Sequence, residues 1–151
     1  MSISSMAHPD LNERFQRRIK GTFTEVLGMR LLELREGYVR GELPVRDTLK
    51  QPYGLLHGGA IATFADSLVA TGTGRFLAPG QTMTTIEFKV NFMAPVRDGI
   101  VRGEATALHR GRRTMVWEVR VTDGEDRLVA LMSTAVMILD PQESPSAPPP
   151  S

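Results

Sequence analysis

The sequence predicts an α+β fold in which one antiparallel sheet wraps a long central helix. Three observations carry this: a nearly continuous apolar run from Ala60 to Ala70 behind two glycines, strand-like segments after it, and an alternating segment ahead of it. The chain has 151 residues and is 41% hydrophobic, which suits one ordinary core. A single domain is therefore expected over residues 11–139, with a flexible start at 1–10 and a disordered Pro/Ser-rich tail at 140–151.

Asp10, with Glu13 three residues on, suits a capping box, and the spacing predicts a first helix through about Glu25. Phe15, Ile19, Phe23 and Val26 would form its apolar stripe. From Gly28 to Val45 the alternation predicts a hairpin or a bent strand interrupted near Arg35-Glu36-Gly37. A helix of about four turns is expected from Gly58 toward Thr71, ending at the glycines beyond it and at Pro79-Gly80.

A meander of four strands follows. In 84–92 the apolar members recur at every second position, placing Ile86, Phe88, Val90 and Phe92 on one face. Met115, Trp117, Val119 and Val121 repeat the pattern, and Trp117 reads as core. Arg110-Gly111-Arg112-Arg113 suits a turn between strands 100–109 and 113–122, and Asp123-Gly124-Glu125-Asp126 suits the next, before strand 127–139. Leu128 through Leu139 is apolar on both alternating faces apart from Ser133 and Thr134, which predicts a central strand covered on both sides.

Lys and Arg total 18 against 17 Asp and Glu, a formal charge of +1 that gives no reason to expect nucleic acid as a partner. No cysteine is present, so thiolate catalysis, thiolate metal ligands and disulfides are excluded. The opening residues lack a basic start followed by an apolar run, and no segment reaches the roughly 18–20 apolar residues of a membrane span. A cytoplasmic location with no membrane partner is expected. His8, His57 and His109 share no ligand spacing, so no metal is expected.

Asp66 is the one acid in the apolar stretch, with Ala62, Thr63, Val69 and Ala70 as its neighbours three and four residues away. Lacking a cation on its own helix, such a carboxylate needs partners from elsewhere or a task. It can deprotonate a water as a general base or attack a carbonyl as a nucleophile; a purely structural carboxylate is the competing reading. Gly58 and Gly59 lie where a helix leaves its first N–H groups unpaired, and such groups can hold an oxyanion or simply permit a tight turn. Eight residues separate Gly58 from Asp66, about 12 Å along a helix. One helix cannot easily bring both to one carbonyl, but two antiparallel copies can, forming equivalent sites across a dimer interface.

With Gln51-Pro52-Tyr53-Gly54-Leu55-Leu56-His57-Gly58-Gly59, then Asp66, then Thr85 through Pro95, the chain resembles the hotdog-fold acyl-CoA thioesterases, particularly the PaaI-like, phenylacetate-pathway branch, over about residues 25–139. The resemblance implies hydrolysis of an acyl-CoA thioester to a carboxylic acid and coenzyme A. It needs no cofactor, coenzyme A being part of the substrate. It assigns Asp66 to water activation or nucleophilic attack, the Gly58 amide to polarising the carbonyl, and His57 and Gln51 to the border of the reacting group from the opposing subunit. Thr85 occupies a position where related enzymes place a water-orienting serine. Related enzymes often carry Asn in place of Gln51, and some Glu in place of Asp66. The resemblance further implies a homodimer, with a tetramer as a further level of assembly.

Gly59 lies beside the polarising amide, and Phe64, Leu68 and Phe88 are candidates for an acyl tunnel or for core. Arg110, Arg112 and Arg113 can meet coenzyme A phosphates or form a solvated basic turn. Two other activities stay open: a non-catalytic acyl-CoA-binding hotdog module, and a hydroxyacyl-thioester dehydratase, whose elimination chemistry uses a His–acid pair.

Overall fold

The computed structural model describes residues 8–141. The tail beyond Pro141 and the stretch ahead of His8, both expected to be flexible, lie outside the described residues. Helices α1 (His8–Ile19) and α2 (Phe23–Leu27) precede strands β1 (Arg30–Arg35) and β2 (Tyr38–Pro44). Helix α3 (Gly58–Thr73) comes next, followed by β3 (Thr82–Phe92), β4 (Ile100–Arg110), β5 (Thr114–Thr122) and β6 (Leu128–Leu139). The antiparallel sheet of six strands runs β1-β2-β4-β5-β6-β3 and wraps α3 without closing into a barrel, which makes this the predicted α+β hotdog fold.

The first helix departs from expectation. It begins at His8, so Asp10 sits inside the first turn and pairs with Arg14 (3.9 Å) instead of capping. It also stops at Ile19, because Gly21 takes a left-handed conformation (φ 76°) and the chain restarts as the separate short helix α2. Phe15 and Ile19 are buried as the stripe requires, but Phe23 and Val26 remain exposed at 68% and 66%. Helix α1 lies along β1, where the Asn12 carbonyl oxygen accepts from Leu31 N–H (2.9 Å) and the Gln16 amide donates to Met29 O (2.9 Å). Backbone groups of this edge strand are thereby satisfied by side chains.

The 28–45 segment is a hairpin, turning at Glu36-Gly37 with Gly37 at φ 72°. Its glycine Gly41 lies directly opposite Gly103 of β4. A Cβ at Gly41 would stand 2.8 Å from Leu68 Cδ2, and one at Gly103 only 2.6 Å from Leu68 Cδ1 and 2.8 Å from Phe64 Cε1. The paired glycines thus form a notch in the sheet into which Phe64 and Leu68 of α3 press. Farther along the helix, Gly72 lets the Trp117 ring approach to 2.6 Å of where its own Cβ would be. Phe64, Leu68, Val69 and Trp117 are fully buried in consequence.

Strand β6 is central in pairing, between β5 and β3, but only one of its faces is covered. Ala130, Met132, Thr134, Val136 and Ile138 are buried against the helix side, whereas Leu131, Ala135, Met137 and Leu139 are half-buried and Ser133 is exposed. The expectation of two covered faces therefore fails among the described residues, since α3 supplies only one layer. At the β5–β6 turn, Asp123 receives Glu125 N–H, Arg127 N–H and the Arg127 guanidinium. Burial opposes ionisation of Asp123, but these donors outweigh it and hold the carboxyl below the usual carboxylate range.

Gly103→Ala should force Leu68 and Phe64 back and cost about 1–3 kcal/mol of stability, measured as a lower urea midpoint at unchanged m-value. Gly124→Ala, where an added Cβ meets nothing within 4 Å, serves as the control and should leave the midpoint nearly unmoved.

Candidate active site

The loop leading into α3 is held by backbone bonds. His57 N–H donates to Leu49 O (2.9 Å), Leu56 N–H to Val96 O (2.8 Å), and Gln51 and Leu55 close a turn (2.8 Å). The Gln51 side-chain oxygen accepts from Tyr53 N–H inside the same turn, so its amide stiffens the loop. His57 is the N-cap of α3, its Nδ1 accepting from Gly59 N–H at 2.8 Å. That bond assigns the neutral ring its proton at Nε2.

Capping removes one of the orphan donors of the helix start and leaves its neighbour. No hydrogen bond among the described residues takes up Gly58 N–H. The Phe92 ring packs over Gly58, with Phe92 Cζ 3.0 Å from where a Cβ would stand, so a side chain here would make the ring give way by a few tenths of an ångström. At Gly59 a Cβ would come within 2.9 Å of His57 Nδ1. Both glycines thus stand at close approaches, one to a ring and one to the cap side chain.

Two turns on, Asp66 is half-buried on the side of α3 that faces β3, and its Oδ1 accepts from the Thr85 hydroxyl at 2.8 Å. Strict alternation in 84–92 would have sent Thr85 to the opposite face from Phe88. A β-bulge intervenes: Thr85 pairs with Val136 and Glu87 with Ala135, leaving Ile86 as the extra residue. Phe88, Val90 and Phe92 share the helix side as predicted, but Ile86 does not belong to their run, and the bulge turns Thr85 inward to Asp66. Among the described residues Asp66 has no salt-bridge partner, and its second carboxylate oxygen accepts no hydrogen bond.

The remaining predicted residues divide. Phe88 is about half exposed on β3, whereas Phe64 and Leu68 fill the glycine notch and present no open surface to an acyl chain. Arg110 shares a cross-strand row with Thr85 through Val136 and Met115. Three strand spacings separate the two, about 14 Å. Its guanidinium stands 4.2 Å from the Phe76 ring centroid and 3.4 Å from Glu36, while Arg113 lies 4.0 Å from Asp140. Arg112 is exposed on the same turn. The structure joins Asp66 to Thr85 and His57 to Gly58 and Gly59, but brings none of the three arginines to Asp66 of the same chain.

A groove of about 200 Å³ adjoins His57 and Gly59 and is walled on one side by Phe23 and Val26, which the apolar spacing places on a buried stripe. Gly21 was the available signal, since a glycine there ends the helix and frees the next segment to turn. A larger, shallow cleft of about 480 Å³ around Asp98, Asp123 and Arg127 contains none of the predicted site residues. Among the described residues no group of three or more His, Asp or Glu side chains is placed to hold a metal ion, and no helix is long and apolar enough to cross a membrane.

The structure thus places an amide without a partner among the described residues at the start of α3 and a carboxylate two turns along the same helix, inside a hotdog sheet. The sequence profile of the thioesterase superfamily matches residues 53–130, slightly more than half of the chain, and the chain belongs to that superfamily. It is 35% identical over 120 residues to the proofreading thioesterase EntH of Klebsiella pneumoniae, covering 78% of this chain and 88% of the relative. It is 27% identical over 114 residues to a 1,4-dihydroxy-2-naphthoyl-CoA hydrolase of Listeria monocytogenes, covering 76% and 93%. Among solved structures, a mutant of the thioesterase PA1618 from Pseudomonas aeruginosa superposes with a TM-score of 0.81 at 26% identity, covering 89% of this chain and 97% of that one. With these relatives the chain is an enzyme of the hydrolase class.

His57→Ala should remove the α3 cap and lower stability by about 1 kcal/mol, whereas His57→Asn should recover most of the loss because Asn also caps well. Thermal unfolding of the two variants side by side checks this.

Proposed function

We propose that the protein hydrolyses an acyl-CoA thioester to a carboxylic acid and coenzyme A, as a PaaI-like enzyme of the cytoplasm with residues 11–139 as its one domain. The observation that carries this reading is the Asp66–Thr85 hydrogen bond, made on a half-buried helix by a bulge that aims Thr85 at the acid. The Thr85 hydroxyl fixes one carboxylate oxygen, and the other stays open to a water. Asp66 takes a proton from that water as the water oxygen adds to the thioester carbon, or Asp66 adds directly to give an anhydride that water then opens. The carbonyl oxygen gains negative charge toward Gly58 N–H, a donor that favours the transition state over the substrate. Collapse breaks the C–S bond, and the departing thiolate takes up a proton, from the protonated Asp66 in the general-base route. Acyl-CoA as the substrate class follows the coenzyme A thioester named for the Listeria relative.

Gly58 and Asp66 are about 12 Å apart along one helix, so the complete site takes Asp66 from one chain and Gly58, with His57 and Gln51, from another. The two edges of the sheet support this pairing. Edge β1 is covered by α1, whereas edge β3 is open and carries Ile86, Phe88 and Phe92 about half exposed, with Met93 just beyond it. We therefore assign β3 to the interface of a homodimer, with assembly into a tetramer as a second step. Arg110, Arg112 and Arg113 are assigned to coenzyme A phosphates bound across that interface, where their distance from Asp66 of the same chain is no obstacle.

Purified protein should release free thiol from aromatic or medium-chain acyl-CoA, and release from no member of a panel spanning short, medium and aromatic acyl groups would sink the assignment. Asp66→Asn keeps an oxygen for Thr85 but loses the base, and should lower kcat at least about 100-fold. Thr85→Val should cost less, since it leaves the carboxylate in place unaimed. Equal kcat values in wild type and Asp66→Asn would remove Asp66 from the chemistry.

A further inference from the structure

Thr134 is out of place on β6. The residues that this strand turns toward α3 are otherwise apolar, Ala130, Met132, Val136 and Ile138, and Thr134 interrupts them at 2% exposure. A hydroxyl buried so deeply is costly unless it is bonded. It donates across to β3, to Glu87 O at 2.9 Å. Packing alone gives no reason for it, since a valine has the same outline and Val136 fills the same face two residues on.

Glu87 is the first residue after Ile86, the extra residue of the β3 bulge, and Thr134 itself pairs with Phe88, so the hydroxyl ties the two strands where regular pairing resumes. On the other side of Ile86 stands Thr85, whose hydroxyl donates to Asp66 at 2.8 Å. Two hydroxyl bonds thus hold the bulge at both ends, one to α3 and one to β6. Apolar burial does not favour this arrangement. Strict alternation through Phe88 would turn Ile86 toward α3 and send Met83 and Thr85 away from it. In the bulged strand Met83 and Thr85 are half-buried and Ile86 is 51% exposed, so one large apolar side chain is exchanged for another. A bulge also leaves its extra residue unpaired and disrupts the ladder locally. It therefore needs a hold of its own.

We propose that Thr134 is a positioning residue for thioester hydrolysis: its bond to Glu87 O fixes the bulge at Ile86 and so keeps the Thr85 hydroxyl aimed at Asp66. Its effect on rate rests on the thioesterase reading above, whereas its effect on geometry is read without turnover. Thr134 acts through the backbone of β3, two residues from Thr85, and its hydroxyl is committed there. Ser133, next along β6 and exposed on the opposite face, has no such path and serves as the control.

The test compares Thr134→Val with Thr85→Val, Thr134→Ser and Ser133→Ala in the full chain, by two measurements. The first is the carboxyl-carbon NMR resonance of Asp66 at neutral pH. Thr85→Val removes the donor and sets the displacement; Thr134→Val should move the resonance in the same direction by a comparable amount, and Thr134→Ser and Ser133→Ala should leave it in place. The second is hydrolysis of benzoyl-coenzyme A. Thr134→Val should lower kcat about five-fold or more with KM within about two-fold of wild type, and Thr134→Ser, which keeps the hydroxyl, should stay within about two-fold in both. Adding Thr134→Val to Thr85→Val should cost nothing further, because both changes break the same contact. If Thr134→Val does not fold, Thr134→Ala takes its place in both measurements. An Asp66 resonance unmoved by loss of the Thr134 hydroxyl, a serine variant as impaired as the valine variant, or losses that multiply in the double variant overturns the positioning role. A resonance that moves as expected, in a protein that releases no thiol from benzoyl-, hexanoyl- or acetyl-coenzyme A, upholds the hold of Thr134 on Thr85 and defeats the proposed reaction instead.

Discussion

The close approach of α3 to the sheet, through the Gly41–Gly103 notch, is the constraint on which the rest depends. Two missing Cβ atoms let Phe64 and Leu68 sink into the strands, and Gly72 does the same under Trp117. Side chains at these places would press the helix away from the sheet. The Asp66–Thr85 contact tolerates no such shift, since a hydrogen bond of 2.8 Å weakens once the atoms part by a few tenths of an ångström. Core packing and site geometry are thus one problem: the glycines of β2 and β4 set the depth at which the acid meets β3.

What could be read from the sequence follows from what each signal encodes. The α3 run, the hairpin before it and the meander after it were legible because burial on one face imposes a period, and the period survives in the residue types. Gly58, His57 and Asp66 stood out because each contradicts its surroundings. Bulges leave no such trace. Ile86 fits the alternation of Phe88, Val90 and Phe92 as well as any residue, so the register shift that turns Thr85 inward is invisible until pairing with β6 is known. The first helix misled for a related reason: Phe23 and Val26 continue the apolar spacing of Phe15 and Ile19, and only the left-handed Gly21 separates them. Likewise Phe64 and Leu68 read equally as wall or core, and the choice lay in Gly41 and Gly103, far away in sequence.

The two ends of α3 are specialised differently. At its start, glycines and the His57 cap leave the Gly58 N–H without a partner among the described residues; at its far end, Gly72 and the fully buried Thr73 bind it to the sheet. Between the two ends, Thr63, Ser67 and Thr71 return their hydroxyls to the carbonyls four residues earlier, and the apolar face of the helix serves the core. Asp66 sits half-buried on the flank that faces β3, where the Thr85 hydroxyl reaches it.

The covering of β1 by α1 has a consequence for how the molecule meets copies of itself. Asn12 and Gln16 consume backbone groups on one rim of the sheet, while the rim at β3 keeps its own. A sheet with one live rim can add a partner strand once but cannot grow in both directions. Two such sheets joined rim to rim through β3, as in the homodimer proposed above, would present only the β1 rims, where Asn12 and Gln16 already occupy Leu31 N–H and Met29 O and so oppose further strand addition. In that pair the side chains of a short N-terminal helix would work against open-ended polymerisation.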